Sequence, residues 1–177
     1  MKEQEGLGMV HLYTGDGKGK TTAAIGLGIR AAGHGYKVLM IQFMKGQINY
    51  GELETVKNLK NFEIVQFGRP DFVDRKNSAE IDKKLARDAL AFAQDAVRKK
   101  KCDLLILDEV CVAVDFGLIK ASDVIDLVKS RPEGMELVLT GRYAPKEFYE
   151  LADTITEMKE VKHPYQKKVL ARKGIEY

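Results

Sequence analysis

Cysteine is scarce in this chain, which has only Cys102 and Cys111 among 177 residues. That excludes a disulfide scaffold and a four-thiolate zinc site. Tryptophan is absent, and no apolar run approaches the roughly 20 residues a membrane helix needs. Residues 1–8 are charged and short, without an apolar stretch behind a basic start, so they do not read as a signal peptide. Neither sign of charge dominates: 29 Lys and Arg against 26 Asp and Glu leave a net +3. The one basic run, Arg98-Lys99-Lys100-Lys101, stands where a long helix should end, and cations favour that end of the helix dipole. It has no interleaved aromatics, which a single-stranded nucleic-acid surface would use for stacking. The expectation is a cytoplasmic protein without structural metal, with no membrane and no nucleic-acid partner.

What the chain does have is enough apolar residue, 45%, to build one core, and the length suits a single domain over 1–177. Apolar runs alternate with helical patterns from end to end. The pattern predicts strands over 9–13, 38–43, 62–67, 104–107, 136–140 and 154–158. Helices are predicted over 20–32, 52–59, 78–101, 122–130 and 145–152. In the longest, Ile81, Leu85, Ala89, Phe92 and Ala96 recur at spacings of three and four and predict the buried face. Ser122 is the expected N-cap of its helix, and Gly33-His34-Gly35 closes the first. Strands alternating with helices predict an α/β fold, a mostly parallel sheet sandwiched by helices. Ligands of such sheets bind beyond the carboxyl ends of the strands.

One strand end carries strong chemistry. Thr14-Gly15-Asp16-Gly17-Lys18-Gly19-Lys20-Thr21-Thr22 follows the first strand and opens the first helix. The usual phosphate loop is glycine, four residues, then Gly-Lys-Ser/Thr. Here Gly19-Lys20-Thr21 fits the end, but Thr14 stands at the first glycine position and Gly15 comes one place late. The physics still holds. Glycines let backbone N–H groups converge on phosphate oxygens, and the helix points its positive end at the same anion. Lys20 and Lys18 can neutralise phosphate charge, and the Thr21 hydroxyl can hold Mg²⁺.

A second strand ends in Leu107-Asp108-Glu109, an acidic pair of the kind that orders Mg²⁺ or its waters beside a phosphate loop. Other strand ends are less specific. Gln42 and Lys45 follow the second strand; Arg142 follows a later one within reach of a polyphosphate. His163 reads as a turn residue, and Arg30 shares a helix face with Thr22 and is a further candidate for phosphate. These residues point to ATP or GTP with Mg²⁺ and leave open which bond breaks. A small-molecule kinase or ATPase and a non-enzymatic nucleotide sensor both remain. Nucleoside kinases of similar fold often carry a zinc lobe, which two cysteines cannot supply.

Further motifs narrow the field: Arg30-Ala31-Ala32-Gly33-His34-Gly35, Phe43-Met44-Lys45-Gly46 with Gly51-Glu52, and Leu139-Thr140-Gly141-Arg142. Ala152-Asp153-Thr154-Ile155-Thr156-Glu157-Met158, Lys162-His163-Pro164-Tyr165 and Lys173-Gly174-Ile175-Glu176-Tyr177 complete them. With the variant loop, these make the chain resemble the phosphate-loop type of corrinoid adenosyltransferase over nearly its whole length. The resemblance implies a P-loop NTPase fold with a RecA-like sheet. It implies ATP and Mg²⁺, a corrinoid as substrate, a homodimer, and an electron-donating flavoprotein as partner. In that family Co(I) attacks C5′ of the ribose and the whole triphosphate leaves, with ATP lying reversed relative to kinases. By the family pattern Lys20 and Lys18 stabilise the leaving group, and Gly15, Asp16, Gly17, Lys18, Gly19, Lys20, Thr21, Thr22, Arg30 and Arg142 bind ATP. Thr21 and Glu109 are the Mg²⁺ ligands, with Asp108 supporting. Asp16 replaces the family's usual Asn, setting a carboxylate beside polyphosphate. Phe67 and Phe72 are the candidates for aromatic side chains below the corrinoid ring.

Overall fold

The computed structural model describes residues 6–46, 50–71, 73–75 and 77–177, the side chains of residues 165 and 167 excepted. The apolar runs become strands β1 (Val10–Thr14), β2 (Val38–Phe43), β3 (Phe62–Phe67), β4 (Leu104–Asp108), β5 (Glu136–Thr140) and β6 (Thr154–Glu157). The helices are α1 (Lys20–Gly33), α2 (Gly51–Val56), α3 (Glu80–Arg98), α4 (Val110–Asp115), α5 (Ala121–Ser130) and α6 (Lys146–Leu151). A 3-10 turn spans Pro164–Lys167. The strands form one sheet in the order β3-β2-β4-β5-β1-β6, every pairing parallel.

A parallel strand covered on both faces needs apolar residues throughout, and β2 and β4 are buried at every position. Their residues alternate between two cores. Val38, Met40, Leu104, Ile106 and Val138 pack with Ala24 of α1 and Val56 of α2. Leu39, Ile41, Leu105, Leu107 and Leu139 pack on the other side with Ala89 of α3, Val124 of α5 and Phe148 of α6. Helix α1 comes unusually close: a Cβ on Gly28 would lie 2.7 Å from the Phe62 ring.

Two local expectations change, and one helix has no predicted counterpart. The buried face of α3 is Asp82, Ala86, Ala89, Leu90, Ala93, Ala96 and Val97, and Ile81 is 45% exposed. Ala89 and Ala96 are buried as expected, with Leu85 and Phe92 half-buried; in the first turn Asp82 takes the inward place, bound by Arg69 from just past β3 through two N–H donors at 2.8 and 2.9 Å. A carboxylate so paired tolerates burial, and the guanidinium bonds hold its pKa below the usual range. Ser122 is no N-cap: Lys120 holds that position, and the Ser122 hydroxyl bonds Asp123 one residue on. Helix α4 carries Val110, Val112 and Val114, whose β-branched side chains argue against a helix. Tertiary packing overrides that preference, with Val110 and Cys111 fully buried. The basic run does end a helix as expected, and Arg98, Lys99 and Lys101 all pair with Asp95.

Both cysteines are free thiols in the core. Burial, with Asp103 adding, pushes Cys102 up to about 12, and burial raises Cys111 further. A thiol that titrates near 12 is only ~0.01% thiolate at pH 8. Neither should therefore react with a thiol-specific reagent in the native protein at pH 8, while both react once urea unfolds it. The folded state keeps these protons when the unfolded chain, titrating near 9.0, has released them. Stability should accordingly fall as pH rises through about 9, read from urea midpoints.

Candidate active site

The carboxyl ends of all the strands lie along one edge of the sheet, where a cavity of about 970 Å³ opens. That volume is at the upper end for small-molecule sites. Strand order decides what meets there. Because β5 lies between β1 and β4, Thr140 at its end stands between the phosphate loop and the acidic pair. Its hydroxyl donates to Asp108 Oδ1 at 2.8 Å and accepts the Glu109 N–H at 3.0 Å.

The loop heads α1 through Gly19, whose φ of +119° only glycine adopts readily. Gly17, Lys18, Gly19, Lys20, Thr21 and Thr22 line the cavity, so the first turn of α1 faces it. Gly15 and Gly17 answer a different constraint from the expected one. A Cβ on either would lie 2.5 or 2.6 Å from the Met158 carbonyl, which accepts the Gly17 N–H at 2.6 Å. The chain just beyond β6 braces the loop from below, and glycine is what lets it approach.

The cations of the site are all engaged. Lys20 Nζ spans the loop, donating to the Gly15 and Gly17 carbonyls at 2.7 Å each. Its burial lowers its pKa, with Glu109 acting in the opposite sense. Lys18 Nζ pairs with Glu176 at 2.7 Å and also bonds the Ile175 carbonyl. Glu176 is held from behind by the Arg172 backbone N–H and guanidinium, and with Lys18 they bring its carboxyl down to about 2. Gly174, Ile175, Glu176 and Tyr177 thereby line one wall of the cavity, with His163 beside them. Arg142 lines it too and donates to the Asp16 carbonyl at 2.7 Å. Asp16 itself is exposed and does not line the cavity, which lessens the repulsion its carboxylate would exert.

Asp108 is fully buried and receives four donors. Thr21 Oγ1 and Thr140 Oγ1 bond Oδ1; Lys45 Nζ at 2.7 Å and Gln42 Nε2 at 3.2 Å bond Oδ2. Burial pulls the Lys45 ammonium down, but Asp108 and Glu109 outweigh it and the net shift is upward. Glu109, with a left-handed φ of 62°, turns its side chain to the cavity. Burial, and then the Asp108 charge, raise its pKa. Asp108, Glu109 and Thr21 form a hard oxygen set, two carboxylates and a hydroxyl, which suits a Mg²⁺ ion completed by water and phosphate.

Not every expected residue is present. Arg30 sits in the last turn of α1, exposed, ten residues and about 15 Å of helix rise beyond Lys20. It acts electrostatically on Tyr13 and does not line the cavity. Phe67 is also outside it, its ring 5.6 Å from that of Phe92 over the core. Phe72 lies outside the described residues. Lys45 and Arg69, by contrast, line the cavity without having been assigned a role. The signal for Lys45 was its place three residues beyond Gln42, which the β2–β4 register sets opposite Asp108.

Residues 6–177 match the family described as ATP:corrinoid adenosyltransferase BtuR/CobO/CobP. The chain is 33% identical over 175 residues to the corrinoid adenosyltransferase of Escherichia coli (strain K12), covering 98% of this chain and 88% of that protein. It is 32% identical over 175 residues to the corrinoid adenosyltransferase CobA of Salmonella typhimurium, with the same coverage. Against the corrinoid adenosyltransferase of Pseudomonas aeruginosa it is 32% identical over 176 residues, 99% of this chain and 86% of that one.

Proposed function

The chain belongs to the ATP:corrinoid adenosyltransferase family, so its reaction is adenosylation of a corrinoid with ATP, and we propose how its residues carry that reaction. The reduced cobalt of the corrinoid substrate supplies the electron pair that forms the Co–C bond to C5′. The C5′–O bond breaks, and its electrons leave with triphosphate. No protein nucleophile is required, and the work left to the chain is orientation and stabilisation of the departing charge.

In this reading the loop and the first turn of α1 hold the triphosphate, with Lys18, Lys20 and Arg142 around it. Thr21 and Glu109 would hold Mg²⁺, which would neutralise charge growing on the leaving group, with Asp108 fixing the Thr21 hydroxyl. The observation that carries this is convergence: Lys18, Lys20, Lys45, Arg69 and Arg142, the first turn of α1 and Glu109 line one cavity beyond the sheet, with Asp108 buried just beneath it. Val73, Val112, Phe116 and Tyr143 also line the cavity and supply apolar surface for the corrinoid. A homodimer, a flavoprotein electron donor and a cytoplasmic setting complete the proposal on the strength of the family resemblance. Among the described residues no helix is long and apolar enough to cross a membrane.

The test is anaerobic incubation with Mg·ATP and chemically reduced cob(I)alamin. A light-sensitive adenosylated product with stoichiometric triphosphate is expected. Release of ADP, or tight ATP binding with no product from either cobalamin or cobinamide, would remove the transferase reading.

A further inference from the structure

The cavity holds one cation whose position the adenosyl-transfer chemistry does not explain. Lys45 Nζ lies 2.7 Å from Asp108 Oδ2 and 3.3 Å from Thr21 Oγ1, and 5.6 Å from the centroid of the Tyr50 ring. Local backbone geometry puts it there. Met44 has a left-handed φ of 58°, turning the chain back as it leaves β2. Gly46 then crosses Gly68 so closely that a Cβ on Gly46 would fall 2.0 Å from the Gly68 carbonyl. This crossing pins the loop and aims Lys45 along the strand ends. Its ammonium supplies the positive charge that a fully buried carboxylate requires.

Of those two oxygens, the Thr21 hydroxyl is a ligand of the proposed metal site, and the Asp108 carboxylate orients it. A Mg²⁺ bonded to the Thr21 oxygen at about 2.1 Å would lie beside an ammonium that contacts the same oxygen. Two such cations repel strongly where one side chain is buried and the other nearly so. We propose that Lys45 is a placeholder cation: it occupies the metal's place in the nucleotide-free enzyme and yields it only when polyphosphate arrives to take the ammonium. Metal alone must displace Lys45 into a site with no new anion for it. Metal with triphosphate provides that anion, so metal and nucleotide enter together. By linkage the same coupling makes each ligand raise the affinity for the other. The inference rests on the proposed assignment of metal to Thr21 and Glu109, with Asp108 supporting.

The experiment measures Mn²⁺ binding to the full chain from the loss of the free-ion electron paramagnetic resonance signal, with protein-free titrations subtracting the Mn²⁺ that ATP itself binds. It is run with and without ATP, and without corrinoid so that nothing turns over. In the wild type Mn²⁺ alone should bind weakly, and ATP should tighten it by roughly tenfold or more, the range of ordinary coupling between ligands. In Lys45→Met, Mn²⁺ alone should bind about tenfold more tightly than in the wild type, and ATP should tighten it further by a clearly smaller factor than in the wild type. Mn²⁺ alone should also raise the melting temperature of the variant and leave that of the wild type in place. Lys45→Gln, which keeps a donor for Asp108, serves as the second variant should the methionine fail to fold. Equal Mn²⁺ affinity and equal ATP dependence in wild type and variant would overturn the placeholder role while leaving the metal site standing. Absence of Mn²⁺ binding to the wild type even with ATP would overturn both. Adenosyl transfer in the wild type, measured separately, bears on neither.

Discussion

Lys20→Ala is expected to lower adenosyl transfer by roughly 10²–10³-fold, or about 3–4 kcal/mol of transition-state stabilisation. Lys20 is nearly fully buried, and its ammonium sits inside the curve of the loop on the Gly15 and Gly17 carbonyls. A charge held there is pre-positioned for the departing triphosphate and is poorly screened by water. Most of the loss should therefore appear in kcat, because negative charge on the leaving oxygen grows only as the C–O bond breaks. Lys20→Arg should not restore the rate. A planar guanidinium cannot enter the narrow space between two carbonyls that a single ammonium bridges. Steady-state kinetics on both variants decides the matter, and wild-type turnover in Lys20→Ala would remove this residue from the site.

Glu109→Gln should combine a loss with a gain. Turnover at limiting Mg²⁺ is expected to fall about a hundredfold or more, since even outer partners of a metal typically cost up to about that factor. Raising Mg²⁺ should recover part of it. The free protein, meanwhile, should become more stable. Burial and the neighbouring Asp108 raise the pKa of Glu109 above its ordinary 4.5, so ionising it opposes folding. That cost appears as pH rises past about 4.5 and levels off once the folded-state pKa is passed; glutamine does not incur it. Thermal melts from pH 4 to pH 8 should thus show Glu109→Gln gaining on the wild type across that interval. A variant that is both less stable and fully active would show that Glu109 serves packing instead.

Much of this molecule was legible in its residues. Strands β2, β3 and β5 match their predicted limits because they are mostly apolar, β-favouring runs set off by turn residues such as Gly68 and Gly141. The loop and acidic pair were legible for a related reason. Their chemistry is local, so a strand, a glycine-rich turn and a helix in succession suffice to place it. What escaped depends on contacts distant in the chain. Asp82 faces inward on account of Arg69, thirteen residues away on another element. Nothing in the spacing of Arg30 says that its helix carries it away from the loop. Glu176 meets Lys18 across 158 residues, and Gly15 is shaped by Met158 as much as by any ligand. Helix α4 was unreadable because its valines favour a strand, and only burial between β5 and β2 makes it helical.

The cations of the site all have partners within the protein. Lys20 rests on two carbonyls, Lys18 on Glu176, Lys45 on Asp108, and Arg142 on the carbonyl of Asp16. An incoming polyanion therefore exchanges partners with the protein, and its affinity reflects only the difference between new contacts and old ones. The same exchange runs in reverse after the reaction. Triphosphate, the most highly charged species the enzyme handles, departs from cations that have oxygen acceptors of their own to return to. An enzyme with bare cations would bind ATP more tightly and then be held by its own product, so the internal pairing trades affinity for turnover.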